Sequence, residues 1–160
     1  MAKVLSIMNY KGGTGKTTTV INVGACLAQK GYKTLLIDLD PQSNLSEGLN
    51  QFDIPNTLYS AFKTNSEPQQ IEISTNLYLI ASNLESVGFN FDLARQDYKE
   101  KILDNMLSDV IKKYDYVLLD LPPTLNTMVV NSLVISNKII IPMEVEFFVY
   151  RGLDRIMRSS

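Results

Sequence analysis

The stretch Lys11-Gly12-Gly13-Thr14-Gly15-Lys16-Thr17 constrains this chain more than any other part of it. It follows an apolar run, Val4-Leu5-Ser6-Ile7-Met8, and opens a segment of helical period. A glycine-rich turn between a strand and a helix is the context that a phosphate-binding loop requires. The glycines let successive backbone N–H groups point inward around phosphate oxygens, and the helix N-terminus adds a partial positive charge. In such a loop Lys16 reaches the outer phosphates and the Thr17 hydroxyl ligates Mg2+. Lys11, Gly12, Gly13, Thr14, Gly15, Lys16, Thr17 and Thr18 are thus the candidate phosphate cradle. The general pattern asks for Gly five residues before Gly15, where this chain has Tyr10; a second lysine, Lys11, precedes the glycines instead.

Around the loop, apolar runs alternate with helix-period segments, which predicts repeated strand–helix units and a parallel sheet. Strands are expected near Lys3–Asn9, Thr34–Leu39, Leu77–Ala81, Tyr116–Leu121 and Lys138–Ile141. Helices are expected from Lys16 to about Lys30 with Gly31 at the C-terminal cap, from Asp97 to about Lys113, over Met128–Ile135, and from Val149 onward. Residues 40–76 read as polar, with short helical pieces near Leu45–Leu49 and Thr57–Phe62. No repeat or linker interrupts the pattern, so residues 1–160 read as one domain.

Ligands of an open parallel sheet bind at the carboxyl ends of its strands, and acidic residues stand there. Asp120 follows four hydrophobic residues, Tyr116-Val117-Leu118-Leu119, which is the Walker B arrangement in which an aspartate holds Mg2+ directly or through water. Asp38 and Asp40 end the second strand, and period-two spacing puts them on one face. Paired carboxylates beside a nucleotide can position Mg2+ and the attacking water, and Asp40, further from the strand body, suits the reacting end.

With 160 residues, 45% hydrophobic and 20% charged, the chain can build one ordinary globular core. Net charge is −2, against a constitutively basic nucleic-acid surface. No apolar run is long enough to span a membrane, and the N-terminus lacks the layout of a secretion signal; both set the expectation of a cytoplasmic protein. The absence of histidine excludes His-based metal sites and triads. Cys26, the single cysteine, excludes an internal disulfide and reads as a small core hydrophobe among Val23, Leu27 and Ala28.

A phosphate loop with lysines at both ends resembles the deviant Walker A loop of the ParA/MinD-type ATPases. Leu36-Ile37-Asp38-Leu39-Asp40-Pro41-Gln42 is similar to that family's switch I. Tyr114 to Pro123 is similar to its Walker B and switch II, and Ile141 to Phe147 to its next strand end. The resemblance covers nearly the whole chain, with the motifs in the family's order. It implies an α/β P-loop NTPase fold with a mostly parallel sheet flanked by helices on both faces. It implies an ATPase using ATP and Mg2+, with Lys11, Lys16 and Asp40 catalytic, Asp40 assisting through the attacking water, and Thr17, Asp40 and Asp120 at the metal. It also implies that Lys11 crosses an ATP-dependent homodimer to the partner's phosphates. The Asp40-Pro41-Gln42 and Pro122-Pro123 segments favour the partition branch, which implies a nucleoid-associated protein that binds nonspecific DNA and answers to a ParB-like partner, with no membrane role. The alternatives are a MinD-like membrane-associated cell-division ATPase, which needs an amphipathic helix, and a metabolic P-loop ligase resembling dethiobiotin synthetase, which needs no trans lysine.

The chain departs from the family in three places. Ser43 stands where partition members often carry Gly, which predicts a switch I loop less free to adopt positive φ. Arg151 stands at a position that is often acidic. Family members continue well beyond the point matching Ser160, with later strands, part of the adenine pocket and DNA-touching basic residues, so the domain is expected to be incomplete at its C-terminus. Lys112, Lys113, Arg155 and Arg158 read as solvated helix faces rather than a DNA patch, and Phe147, Phe148 and Tyr150 as a packed corner.

Overall fold

A computed structural model describes residues 2–96 and 98–144. The expectations placed on Asp97, on Phe147, Phe148 and Tyr150, on Arg151, Arg155 and Arg158, and on a helix from Val149 lie outside the described residues. Among those described, the chain forms β1 (Lys3–Ile7), α1 (Lys16–Gln29), β2 (Thr34–Asp38), α2 (Asn44–Gly48), α3 (Leu58–Thr64), β3 (Ile71–Ser74), β4 (Leu77–Ile80), α4 (Val87–Ala94), α5 (Ile102–Ile111), β5 (Tyr116–Asp120), α6 (Thr127–Ile135) and β6 (Lys138–Ile140). The strands make one sheet in the order β3-β4-β2-β5-β1-β6. All pairings are parallel except β3 with β4. This is the expected α/β architecture.

The sheet is buried on both sides, which is why its central strands read as continuous apolar runs rather than alternating ones. Leu35 and Ile37 of β2, with Val117 and Leu119 of β5, face a core completed by Phe89 and Leu93 of α4, Leu103, Leu107 and Val110 of α5, and Met128 and Val129 of α6. Leu36 and Leu118 face the other way, against Val20 and Ala28 of α1 and Leu45 of α2. Helix α1 lies close on the sheet because position 24 is glycine: a Cβ there would come within 2.6 Å of Leu36 Cδ2. Gly31, at φ 88°, reverses the chain after α1 as expected.

Cys26 departs from the expectation. It is exposed, not a core residue. The buried stripe of α1 runs through Val20, Gly24 and Ala28, and a residue two places from Gly24 lies about 200° around the helix.

Four further differences have physical reasons. Strand β3 was not expected in the polar 40–76 segment; it is a four-residue edge strand, half-buried in strict alternation, antiparallel to β4. Helix α4 was not expected either, since Gly88 interrupts its pattern, yet Phe89 and Leu93 anchor it in the core. Helix α5 starts at Ile102, later than expected. Its start is fixed by a side chain from α6: buried Asn131 accepts a bond from Leu103 N–H at 3.0 Å and donates to the Lys99 carbonyl at 2.6 Å. The Met128–Ile135 helix begins one residue early, at Thr127, where the Asn126 side chain accepts from Val129 N–H.

Candidate functional site

The carboxyl ends of β1, β2 and β5 lie side by side, with Ile7 paired to Asp120 and Asp38 paired to Asp120 in register. The glycine-rich loop leaves β1 at this edge and turns through Gly13 at φ 75° and Gly15 at φ 81°. Both angles lie in the left-handed region that only glycine enters without strain. No side chain caps the first turn of α1, and that turn carries Lys16 and no acidic residue. An uncapped helix start with a cation beside it suits an anion. Lys11, Gly12, Gly13 and Thr18 are exposed, Thr14 is buried, and Gly15, Lys16 and Thr17 are half-buried. The Thr14 hydroxyl donates to the Lys11 carbonyl at 3.3 Å, which closes the loop on itself.

Asp120 sits beneath the loop. Its Oδ2 accepts the Thr17 hydroxyl at 2.7 Å. Its Oδ1 is buried and has no hydrogen-bond partner among the described residues. A buried, unpaired carboxylate oxygen costs free energy unless a cation or proton meets it. Burial pushes the Asp120 carboxyl up to about 6, opposed by the Thr17 bond and the Lys16 charge and reinforced by Asp40. Lys16, Thr17 and Asp40 are therefore each close enough to act on Asp120. A hydroxyl and a carboxylate are hard oxygen donors, the kind Mg2+ takes, so the residues present fit the ion.

Asp38 and Asp40 do not share surroundings. Strand β2 ends at Asp38, so the period-two rule stops short of Asp40. Asp38 is buried; its Oδ2 accepts the Ser46 N–H at 2.9 Å and the Ser46 hydroxyl at 2.7 Å, and its Oδ1 accepts the Asp40 N–H at 3.2 Å. Burial raises its carboxyl to about 7, outweighing these bonds, with the Asp120 charge adding to the rise. Asp40 is half-exposed and its Oδ1 accepts the Gln42 N–H at 2.9 Å. Ser43 corrects the expectation drawn from its side chain: it adopts φ 58° despite its Cβ, buried within the turn between β2 and α2.

Lys11 stands at the loop's outer end, where its Nζ meets Glu144 Oε2 at 2.7 Å with both side chains about half exposed. Asn9, which sequence reasoning passed over, fixes the loop's root: its amide donates to the Pro142 carbonyl at 2.7 Å and its Oδ1 accepts the Lys11 N–H at 3.0 Å. Lys112 and Lys113 are spoken for by acids, Asp109 and Glu67, as expected of solvated faces.

The raised carboxyls predict how stability varies with pH. In the cation-free folded protein, Asp120 and Asp38 take protons near pH 6 and 7, whereas an unfolded aspartate does so near 4. Their favourable contribution is full below pH 4 and is lost as pH rises through 6 and 7. For these groups the protein is therefore more stable at pH 5.5 than at pH 8. Asp120→Asn, which keeps an oxygen for Thr17, is expected to raise stability at pH 8 by up to roughly 3 kcal/mol. Thermal unfolding in chelator checks this; a variant melting below wild type at pH 8 would contradict it.

A family model described as an AAA domain matches residues 2–159. The chain is 36% identical over 162 residues to the chromosome-partitioning ATPase Soj of Treponema pallidum, covering 99% of this chain and 64% of that protein. Among solved structures it resembles cobyrinic acid a,c-diamide synthase from Mycobacterium smegmatis with bound ADP and magnesium, at TM-score 0.93 and 30% identity, over 99% of this chain and 66% of that one. It also resembles a plasmid partition protein from Borrelia burgdorferi bound to AMPPNP, at TM-score 0.89 and 31% identity, over 98% and 69% of the two chains. The chain spans less than two thirds of the length of the curated relatives it matches, 50% to 65% of each. It belongs to the AAA-domain family, in the ParA/Soj group of P-loop ATPases.

Proposed function

We propose that this protein binds ATP with Mg2+ and hydrolyses it as a partition ATPase, and that nucleotide-driven dimerisation and DNA binding segregate or position DNA. The observation that carries the reading is the buried Asp120 Oδ1, without a hydrogen-bond partner among the described residues, on a carboxylate beside Thr17 and Lys16 under an uncapped glycine-rich loop. Backbone N–H groups of residues 12–18 cradle the phosphates, and Lys16 neutralises the outer ones. Thr17 and Asp120, with Asp40 alongside, hold Mg2+, which when bound would neutralise charge on the phosphate oxygens. Asp40 orients the attacking water. Lys11 enters a partner protomer's site and stabilises charge on the transferred phosphoryl group. Nonspecific DNA, a ParB-like stimulating protein and a place on the nucleoid complete the cycle, and turnover is weak without that stimulation. The partition reading, rather than a MinD-like or metabolic one, is supported by the names of the sequence relatives. The likeness to the amide synthase is one of fold, at slightly lower identity.

Asp40→Ala separates binding from turnover. ATP affinity, read by calorimetry, is expected to stay within about threefold, since the loop and Lys16 are untouched. Hydrolysis is expected to fall roughly 10²- to 10⁴-fold, the usual contribution of a group handling the attacking water's proton. Turnover at the wild-type rate would reduce Asp40 to a turn residue.

A further inference from the structure

We propose that Ser46 is a positioning residue for ATP hydrolysis, acting through Asp38 to set the place of Asp40; this rests on the function proposed above. Ser46 lies on α2, eight residues beyond the end of β2, and is fully buried. It joins three parts of the molecule. Its N–H and its hydroxyl both donate to Asp38 Oδ2, at 2.9 and 2.7 Å. Its Oγ also accepts the Ser82 N–H, at 3.0 Å, from the chain leaving β4.

The consequence falls on the residues in between. Asp38 Oδ2 is taken by Ser46, which leaves Oδ1 to hold the Asp40 N–H. The chain from Asp38 to Ser46 is thus a closed loop, drawn around one buried carboxylate and bonded at both ends. Within it, Asp40 Oδ1 accepts from Gln42 N–H, the Asp40 carbonyl accepts from Ser43 N–H at 2.9 Å, and Ser43 takes a left-handed conformation. A non-glycine residue holds that conformation only where its surroundings over-determine it, and the Ser46 clasp is the anchor on the far side. Without the hydroxyl, α2 keeps a single N–H bond to Asp38 and loses its tie to Ser82, and the Asp40 turn can relax. Misplacing a reacting group by about 1 Å costs up to roughly 10²-fold in rate.

The test measures ATP affinity and single-turnover hydrolysis for wild type, Ser46→Ala, Ser46→Thr, Asp40→Ala and the Ser46→Ala/Asp40→Ala double variant, with thermal unfolding followed alongside. Ser46→Ala is expected to bind ATP within about threefold of wild type and to hydrolyse it roughly 10- to 100-fold more slowly. Ser46→Thr, which keeps the hydroxyl, is expected to restore most of the rate. In the Asp40→Ala background the Ser46 change is expected to cost nothing further, because it acts through Asp40. Should Ser46→Ala not stay folded, Ser46→Cys keeps the volume while weakening the bonds, and the same direction is expected of it. If Asp40→Ala is slow while Ser46→Ala runs at the wild-type rate, or if the two losses multiply in the double variant, the positioning role is overturned alone. If wild type neither binds nor hydrolyses ATP, the parent reading falls and takes this one with it.

Discussion

Lys11→Ala is expected to leave ATP binding by the single protomer nearly intact while abolishing ATP-driven dimerisation and partner-stimulated turnover. Binding survives because Lys16 and the loop N–H groups remain. Turnover is lost because the cation completing the partner's site is gone; an arginine supplied in trans in related chemistry is worth roughly 10³–10⁵ in rate. Within one chain Lys11 meets Glu144 at 2.7 Å, so reaching a partner means leaving that contact. An exposed ion pair of this kind contributes only about 0.2–1 kcal/mol, small against the rate effect, and does not bar the movement. Light scattering with and without ATP, together with stimulated hydrolysis, reads the outcome. A Lys11→Ala protein that dimerises with ATP and is stimulated normally would remove the trans role.

The glycine-rich turn, the positions of the central strands and the place of Asp120 at a strand end were legible because each is written in contiguous residues: glycines at fixed spacing, or a run of apolar residues ending in an acid. The sheet's edges and the helix starts were harder to read. Strand β3 is too short for alternation to stand out, and α5 takes its cap from Asn131, 29 residues beyond Ile102 in the chain. The switch I segment shows the same limit at the site. Spacing placed Asp38 and Asp40 together, but the strand ends between them, and Asp38 is claimed by Ser46 through a loop closure that no local pattern announces. Cys26 was misjudged because its apolar neighbours surround it in sequence but not on the helix face that meets the sheet.

Lys16→Ala is the second large effect, and it bears on the claim beneath all the others, that residues 11–18 with Asp120 form an ATP·Mg2+ site. Lys16 is the basic residue in the first turn of α1, and its charge is felt by Asp120. Charge-assisted hydrogen bonds of the kind it would give the outer phosphates contribute roughly 1.5–3 kcal/mol each, so losing even one lowers affinity about 10- to 100-fold. The fold should survive, since Lys16 is half-buried and contributes nothing to either core. The direct measurement is calorimetric titration of ATP with Mg2+ into wild type and Lys16→Ala, with unfolding curves confirming that both are folded. Saturable binding by wild type and an affinity at least about tenfold weaker in the variant is the predicted result; equal affinities in two folded proteins would contradict the account.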